Sequence, residues 1–321
     1  MPETLFEVTT IGEALLRLSV PIGHRLEVTS QLDVSPAGAE ANMGVIIGPL
    51  GRDCAWFGGL PNNPLGQLVA TRLIASKVDV GGVVWRDSGR MGVYYVELSG
   101  PPRPTKGIYD RNDSCASKLT VEQIDWTRIM DTRILHLTGI TPALLETSQE
   151  VVETVVQKAR EQQVPICFDV NYRAQLWSTS QAKETLIPLI EGVEILICSL
   201  SDAERVFGFS GEAENVVKRL SEMSGAHWVI VSVGTGGVVA YNGQEIFRQN
   251  AVPVEIVDRI GAGDALAAGV LYGWLEGNLK LGLGYGVVLA GLALSQHGDM
   301  VVTSKEEIQS ILEEGHGGIK R

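Results

Sequence analysis

A short segment near residue 260 brings together groups that could hold a phosphate and accept a proton. Residues 257–264 read Val-Asp-Arg-Ile-Gly-Ala-Gly-Asp, and helix-forming residues follow at once. Glycines let a phosphate approach the backbone, and N–H groups at the start of a helix bind anions, so we predict an anion site at the amides of Gly261, Ala262 and Gly263. Asp264 lies beside this site and is a candidate base for a hydroxyl nucleophile. Taken alone, the segment also fits an ordinary turn with Asp264 as a helix cap.

The elements that must position this segment follow a regular alternation from about residue 119 onward. The predicted strands cover residues 134–137, 164–170, 193–198, 228–233 and 252–257, and the predicted helices cover residues 147–162, 180–190 and 202–207. Strands that alternate with helices indicate a parallel sheet covered on both faces. Because ligands of such sheets bind at the carboxyl ends of strands, we expect the site in the loops after residues 170, 198, 233 and 257.

The first third of the chain has a different pattern, with strand-like runs and no helix between close neighbours. The predicted strands here cover residues 15–20, 25–34, 92–98 and 108–111, with a stiff proline turn at 100–104. We predict that they form a small sheet that projects as a lid over the strand ends of the main domain. At the other end of the chain, we expect residues 279–294 to form a buried helix and residues 315–318 to be frayed.

Composition excludes several classes of protein. The 321 residues carry a net charge of −12, which argues against a nucleic-acid partner because phosphate binding needs a basic face. Four cysteines lack metal-binding spacing and no apolar leader follows Met1, so we expect a reduced, cytoplasmic protein without a membrane segment. The sequence contains neither G-x-x-x-x-G-K-[ST] nor a G-x-G-x-x-G after a strand, which excludes a P-loop and leaves little support for a dinucleotide-binding fold.

Three segments together carry a resemblance to a known family. Residues 258–264 resemble the C-terminal signature D-[T/P]-x-G-A-G-D of the PfkB/ribokinase superfamily of carbohydrate kinases, with Arg259 in place of Thr or Pro. Residues 37–42 resemble its G-G-x-x-x-N segment, and residues 51–66 resemble the G-x-D…G-x-L-P-x-N-x-L-G run that follows it. The resemblance covers roughly residues 7 to 312. It implies one kinase domain over residues 1–321, with a ribokinase-like three-layer α/β/α fold, a mostly parallel central sheet and a small projecting β-sheet lid.

Residues 168–177 narrow this resemblance to the 2-keto-3-deoxygluconate kinases. Their sequence, Phe-Asp-Val-Asn-Tyr-Arg-Ala-Gln-Leu-Trp, is similar to the D-x-N-Y-R-x-x-L-W segment of those kinases. The resemblance implies a set of residues that bind the sugar acid: Gly38, Asn42, Tyr94, Tyr109, Arg111 and Arg173. A planar guanidinium binds a carboxylate through two parallel hydrogen bonds, and two arginines facing one pocket would leave positive charge uncompensated until an acid binds. Surface salt bridges are the other interpretation of the arginines, and Tyr95 competes with Tyr94 because strand neighbours face opposite ways.

The resemblance also implies where ATP and its metal ion bind. The implied contacts of ATP are Ser199, Ser232, Gly234, Gly237, Gly261, Gly263 and Ala290. The N-x-x-E motif that organises Mg²⁺ in the superfamily is replaced here by Ser199-Leu200-Ser201-Asp202, so Asp202 and Glu204 become the candidate metal residues, acting through water. The loop around Arg259 is the place where a monovalent cation would bind.

These observations predict an ATP-dependent sugar-acid kinase that phosphorylates 2-keto-3-deoxygluconate on carbon six. The alternatives are a fructokinase or another sugar kinase of the superfamily, and a non-catalytic sugar-acid sensor on a kinase fold. An NAD-dependent oxidoreductase would need a glycine fingerprint that is missing here. Because a lid sheet has open edges that can pair with another subunit, we also expect a homo-oligomer formed through the lid.

Overall fold

The computed structural model describes residues 4–99 and 102–314. The strands are β1 (Phe6–Ile11), β2 (Leu15–Ser19), β3 (Asp33–Ala37), β4 (Cys54–Pro61), β5 (Val78–Asp79), β6 (Val83–Arg86), β7 (Val93–Glu97), β8 (Lys106–Asp110), β9 (Thr132–Thr138), β10 (Ile166–Asp169), β11 (Ile195–Ser199), β12 (Trp228–Ser232), β13 (Val238–Tyr241) and β14 (Ile246–Gln249). The helices are α1 (Ala39–Ile47), α2 (Pro64–Ala75), α3 (Trp126–Met130), α4 (Glu146–Glu161), α5 (Thr179–Ile190), α6 (Leu200–Phe207), α7 (Ala213–Ser224), α8 (Ala262–Leu275), α9 (Leu279–Leu294) and α10 (Lys305–Glu314). The turn predicted at 100–104 lies partly outside the described residues, and the tail at 315–318 lies wholly outside them.

The central sheet runs in the order β14-β13-β12-β11-β10-β9-β1-β4-β5, with β6 paired to β4. All pairings from β12 to β5 are parallel, and the final β12-β13-β14 meander is antiparallel. Apolar side chains are buried on both faces of the sheet: one core includes residues of α1, α8 and α9, and the other includes residues of α4 to α7. The predicted three-layer fold with a mostly parallel sheet is therefore confirmed.

The lid is a separate four-stranded sheet in the order β3-β2-β7-β8. Strands β2 and β7 run parallel, while the outer pairs are antiparallel. The strand predicted over 25–34 was wrong for its first part, because the amides of Val28 and Thr29 bond back to the carbonyl of Arg25 in a turn and β3 starts only at Asp33. The same third of the chain also supplies β1, β4, β5 and β6 to the central sheet, which the sequence pattern did not reveal.

The segment before the predicted phosphate-binding turn at residues 257–264 is not a strand, so the prediction for residues 252–257 was wrong. Pro253 has no N–H to offer a neighbouring strand. The amides of Val257 and Asp258 instead donate to the carbonyl of Leu294, at the end of α9, at 2.8 and 3.2 Å. The turn is thus anchored to a helix terminus rather than to the sheet.

Helices α8 and α9 pack along a seam of glycines. A Cβ at Gly269 would lie 2.3 Å from the backbone nitrogen of Gly286, and one at Gly273 would lie 2.2 Å from the Cα of Gly282. Only glycine permits so close an approach, which accounts for Gly282 and Gly286 inside the predicted buried helix at 279–294. Within the described ranges, no helix has both the length and the apolar character that a membrane span requires.

Candidate active site

A cavity of about 930 Å³ opens between the lid and the carboxyl ends of the central strands. Most of the predicted site residues line it: Gly38, Asn42, Tyr94, Tyr109, Arg111, Arg173, Ser199, Asp202, Ser232, Gly261, Gly263 and Asp264. The predicted residues that do not line it are Ala262, Glu204, Gly234, Gly237 and Ala290. Charged or amide side chains that the prediction omitted also line it: Glu13, Glu40, Asn112, Asp169, Asn171, Gln175, Arg205, Arg259 and Asp299.

The N-termini of two helices converge at this cavity. Gly38 precedes α1 with a φ of 137°, and Gly261 precedes α8 with a φ of 87°, a left-handed region that favours glycine. Neither helix start has a side-chain cap. The first-turn N–H groups therefore remain available to a ligand, and the positive ends of both helix dipoles favour an anion there.

Asp264 lies where the two helices meet. The Nδ2 of Asn42 on α1 donates to the Oδ2 of Asp264 at 2.7 Å, whereas the Oδ1 of Asn42 is buried without a partner among the described residues. Burial raises the pKa of Asp264 to about 8, while the bond from Asn42 opposes this rise and the nearby carboxylate of Asp169 adds to it. A carboxylate with a pKa near the working pH is well suited to take a proton from a hydroxyl. A Cβ at Gly263 would meet nothing within 4 Å, so the space beside this carboxylate is open.

The lid contributes two stacked tyrosines. The rings of Tyr94 and Tyr109 lie 5.1 Å apart with 10° between their planes. The Tyr94 hydroxyl donates to Asp299, with both carboxylate oxygens at 2.6 Å. Tyr94 is buried and lines the cavity, and Tyr95 does not line it. Of the two tyrosines that the sequence left open, Tyr94 is therefore the one that faces the cavity, and its contact with the sugar stays a prediction.

Arg111 is already paired before any ligand binds. Its Nε donates to the Oε2 of Glu13 at 2.6 Å, and its Nη2 contacts the same oxygen. The Ser114 hydroxyl donates to the other oxygen of Glu13 at 2.5 Å. The side chain of Glu13 is 1% exposed. The expectation of uncompensated positive charge was therefore wrong for Arg111.

Arg173 has the opposite environment. It is exposed at the mouth of the cavity and donates from Nη1 to the carbonyl of Tyr172 at 3.2 Å. No carboxylate of the described residues forms an ion pair with it, although Asp169, Asp202 and Asp264 lie near enough for its charge to lower their pKa values. Its guanidinium therefore remains open to a ligand.

The end of β10 and the start of α6 bring two carboxylates into the cavity. Burial raises the pKa of Asp169 to about 7, Arg173 lowers it and Asp202 raises it further. The amide of Asn171, whose φ is +39°, donates to Oδ1 of Asp169 at 3.2 Å. The Oγ of Ser199 accepts from the amide of Asp202 at 3.0 Å and so caps α6.

These carboxylates do not form a metal cage. Across residues 4–99 and 102–314, no three His, Cys, Asp or Glu side chains are grouped to hold a metal ion. Mg²⁺ commonly keeps several waters and is held by one or two carboxylates plus substrate phosphates. Asp169 and Asp202 fit that limited role, whereas Glu204 is exposed and outside the cavity.

Two of the omitted residues carried a signal in the sequence. Asp169 begins the D-x-N-Y-R segment that contains Arg173, and it ends strand β10. Glu13 follows β1 by two residues, so the strand-end rule would have identified it once β1 was assigned to the central sheet.

The fold and this site define a phosphotransferase that acts on a small hydroxyl compound under a lid. Residues 7–306 match the pfkB family of carbohydrate kinases, and the chain belongs to this family. A 2-dehydro-3-deoxygalactonokinase of Haloferax volcanii is 35% identical over 98% of this chain and 99% of its own length. The crystal structure of a 2-dehydro-3-deoxygluconokinase from Thermotoga maritima superposes with a TM-score of 0.89, at 32% identity over 96% of this chain and 99% of that one. An E. coli structure described as a putative ribokinase II in complex with ATP and Mg²⁺ has a TM-score of 0.88 over 97% and 100% of the two chains, and at 23% identity it bears on the fold alone.

Proposed function

We propose that this protein transfers the γ-phosphoryl group of ATP to the carbon-six hydroxyl of 2-keto-3-deoxygluconate. The observation that carries the proposal is the Asn42–Asp264 hydrogen bond between two uncapped helix starts, in a cavity that also holds Arg111 and Arg173. A base, an anion site and guanidinium groups for a carboxylate are thus within one cavity. The names of the relatives from H. volcanii and T. maritima support the same substrate class.

The proposed reaction breaks the bond between the γ-phosphorus and the oxygen of the leaving ADP. The carbon-six oxygen of the sugar acid forms the new bond to phosphorus, and its proton passes to the carboxylate of Asp264. The amides of Gly261, Ala262 and Gly263 stabilise charge on the transferring group. The lid excludes water that would otherwise take the place of the sugar hydroxyl.

The sugar acid is held from two sides in this proposal. Arg173 offers its open guanidinium to the carboxylate, and Arg111, held by Glu13, presents its remaining N–H groups to the same ligand. The unpaired Oδ1 of Asn42 is available to accept a sugar hydroxyl, and Gly38 lets the sugar approach the backbone. Tyr94 and Tyr109 form the lid side of the pocket.

ATP and Mg²⁺ are the proposed co-substrate and metal. The E. coli neighbour, which shares this fold, was solved with both. Asp169 and Asp202 would hold the Mg²⁺ that arrives with the phosphates, and this cation would neutralise part of the phosphate charge. The predicted contacts of ATP remain predictions: Ser199 and Ser232 in the cavity, and Gly234, Gly237 and Ala290 outside it. Glu204 likewise remains a predicted metal residue that acts from a distance. A monovalent cation near Arg259 also remains a prediction, which turnover in K⁺ against tetramethylammonium would test.

A substrate panel tests the proposal. The rate of ADP release is measured with 2-keto-3-deoxygluconate, its galactonate epimer, fructose and ribose, with Asp264→Asn as the blank. We expect kcat/KM for the sugar acids to exceed that for the neutral sugars by at least about a hundredfold, because a charged group that loses its partner costs roughly 3 kcal/mol or more. Comparable turnover of fructose would overturn the proposed substrate class but not the kinase activity. Binding of the sugar acid without release of ADP would indicate a non-catalytic sensor.

The galactonate epimer is a second candidate substrate. The 35% identical relative from H. volcanii carries the galactonokinase name, whereas the T. maritima neighbour carries the gluconokinase name. The two acids differ in the orientation of one hydroxyl, so their kcat/KM values in the same panel decide between them.

We also propose that the protein forms a homo-oligomer through the lid. The proposal further includes a single kinase domain over residues 1–321 and a cytoplasmic location. Val34 on edge strand β3 and Ile108 on edge strand β8 are 53% and 55% exposed. An exposed apolar sheet edge can pair with a second copy of the chain. Light scattering should show a dimer or larger assembly, and Ile108→Lys should shift it toward the monomer.

A further inference from the structure

Arg17 is a buried charge in the middle of lid strand β2 that the proposed chemistry does not use. The residue is 1% exposed and does not line the cavity. All three guanidinium nitrogens have partners: Nε donates to the Oγ of Ser19 at 2.7 Å, Nη1 to Oδ1 of Asp299 at 2.7 Å, and Nη2 pairs with Oδ2 of Asp258 at 2.5 Å. A charge so buried and so fully paired fixes the relative positions of the groups around it.

The two carboxylates belong to the segments that shape the phosphate-binding turn. Asp258 opens this turn, and its side chain accepts from the amides of Ile260 at 3.1 Å and Gly298 at 3.3 Å. Gly261 packs against Asp299 so closely that a Cβ there would lie 2.4 Å from the carbonyl oxygen of Asp299. The direction of the turn amides therefore depends on where Asp258 and Asp299 are held.

On its other side, Arg17 begins a row of residues that crosses the lid. Arg17 is the register partner of Tyr94 on β7, and Tyr94 is the register partner of Tyr109 on β8. Tyr94 donates to the same carboxylate of Asp299 that Arg17 binds. The guanidinium of Arg111 lies 5.7 Å from the centre of the Tyr109 ring. The row thus connects the turn with the lid side of the proposed sugar pocket.

We propose that Arg17 is a positioning residue that couples the lid to the phosphate-binding turn through Asp258 and Asp299. Without the guanidinium, two buried carboxylates lose their shared counterion, and the turn loses its tie to the strand that carries Tyr94. The position of the lid strands then no longer fixes the direction of the amides of residues 261–263. This inference rests on the proposed kinase activity for its kinetic consequence, but the coupling itself is a property of the fold.

The test compares Arg17→Gln with a matched control. Arg52 also bridges two carboxylates, Glu7 and Glu276, but it lies outside the cavity and is more exposed than Arg17, so Arg52→Gln removes the same number of ion pairs from a site away from the turn. We expect Arg17→Gln to lower kcat about a hundredfold, the cost of misplacing a catalytic group by about an ångström. The KM values for ATP and the sugar acid should change much less, because Arg17 contacts neither, and Arg52→Gln should keep kcat near that of the wild type.

Hydrogen exchange separates this inference from the proposed function. Arg17→Gln should speed amide exchange in residues 15–19 and 258–264 together, whereas Arg52→Gln should leave both segments protected, whatever substrate the enzyme uses. If Arg17→Gln does not fold, Arg17→Lys replaces it in the test, because lysine keeps the charge but cannot reach all three partners. The same loss of kcat at an unchanged Tm would support the positioning role of Arg17. A folded Arg17 variant with the kcat and exchange of the wild type would overturn it.

Discussion

The two walls of the cavity differ in how far they are organised before a ligand arrives. In the lid wall, made of Glu13, Tyr94, Tyr109 and Arg111, all residues except the exposed Tyr109 are largely buried, and the charges are matched within the protein. The strand-end wall, made of Asp169, Arg173, Ser199 and Asp202, is more open, and its arginine forms no ion pair with the described residues. The same residue type, arginine, is thus paired on one side and free on the other.

This difference separates positioning from charge recognition. A guanidinium whose rotamer is fixed by Glu13 loses little entropy when a ligand binds, so the lid wall can orient the sugar at low cost. A guanidinium without an ion pair gains most from an incoming carboxylate, because that pairing does not have to displace a carboxylate of the protein. We therefore assign orientation of the sugar chiefly to the lid wall, and recognition of the acid and of MgATP chiefly to the strand-end wall.

The largest effect should come from Asp264, which lies between the two walls. Asp264→Asn should lower kcat by roughly 100- to 10,000-fold, the usual contribution of a general base. The amide preserves the shape of the carboxyl but cannot accept a proton, so binding of sugar acid and ATP, measured by calorimetry, should remain near that of the wild type. A variant with a nearly normal kcat would exclude Asp264 as the base.

The next effect should distinguish the two arginines. Arg173→Ala should raise KM for the sugar acid by about tenfold to a hundredfold, the cost of losing a hydrogen bond to a charged group, with little change in Tm. Arg111→Ala should raise the same KM and also lower the free energy of unfolding by about 3–5 kcal/mol, because it leaves Glu13 buried without its counterion. Steady-state kinetics and urea unfolding of both variants check this contrast.

A double variant sharpens the contrast further. Adding Glu13→Gln to Arg111→Ala removes the unpaired buried charge, so stability should recover while KM for the sugar acid stays high. Equal loss of stability in Arg111→Ala and Arg173→Ala would contradict the distinction between the walls. If both variants changed only the KM for ATP, the arginines would belong to the nucleotide and the sugar-acid proposal would fall.

Local chemistry was predictable from the sequence, and long-range pairing was not. The turn at residues 257–264 follows from the glycines and the helix that starts after them, and the alternation of strands and helices predicted the parallel sheet. The assignment of β1 to that sheet depends on pairs such as Phe6 with Thr132, which no local pattern encodes. The failed strand at 252–257 has the right residue types, but its amides bond to the end of α9 instead of to a strand.

The charge balance of the site was equally hidden. Both arginines are implied by the resemblance to the kinases, and nothing in the sequence shows that Glu13, 98 residues before Arg111, neutralises only one of them. Arg17 likewise resembles any lid-strand arginine until the fold brings Asp299, 282 residues away, to its side. Pairings of this kind depend on topology, so the sequence does not reveal which arginines are neutralised within the protein.

The last effect concerns pH and stability rather than the walls themselves, and it follows from the burial of Asp264 between the walls. Burial raises the pKa of this carboxyl from 3.8 to about 8, so between these values the folded protein binds more protons than the unfolded chain. The stabilisation associated with the protonated form is complete below about pH 4 and is lost as pH rises through about 8.

Asp264→Asn has no such group, so its Tm should equal that of the wild type near pH 4 and exceed it near pH 9. One unit of the shift is about 1.4 kcal/mol, which moves Tm by a few degrees in a protein of this size. Thermal unfolding of both proteins across this range provides the measurement, and parallel curves would show that Asp264 titrates near its ordinary pKa. If the pKa of Asp264 is raised, Asp264 must lose its proton before it can act as the base, so the turnover of the wild type should rise between pH 7 and about 8. If Asp264 titrates near its ordinary pKa, the turnover should not rise over this range.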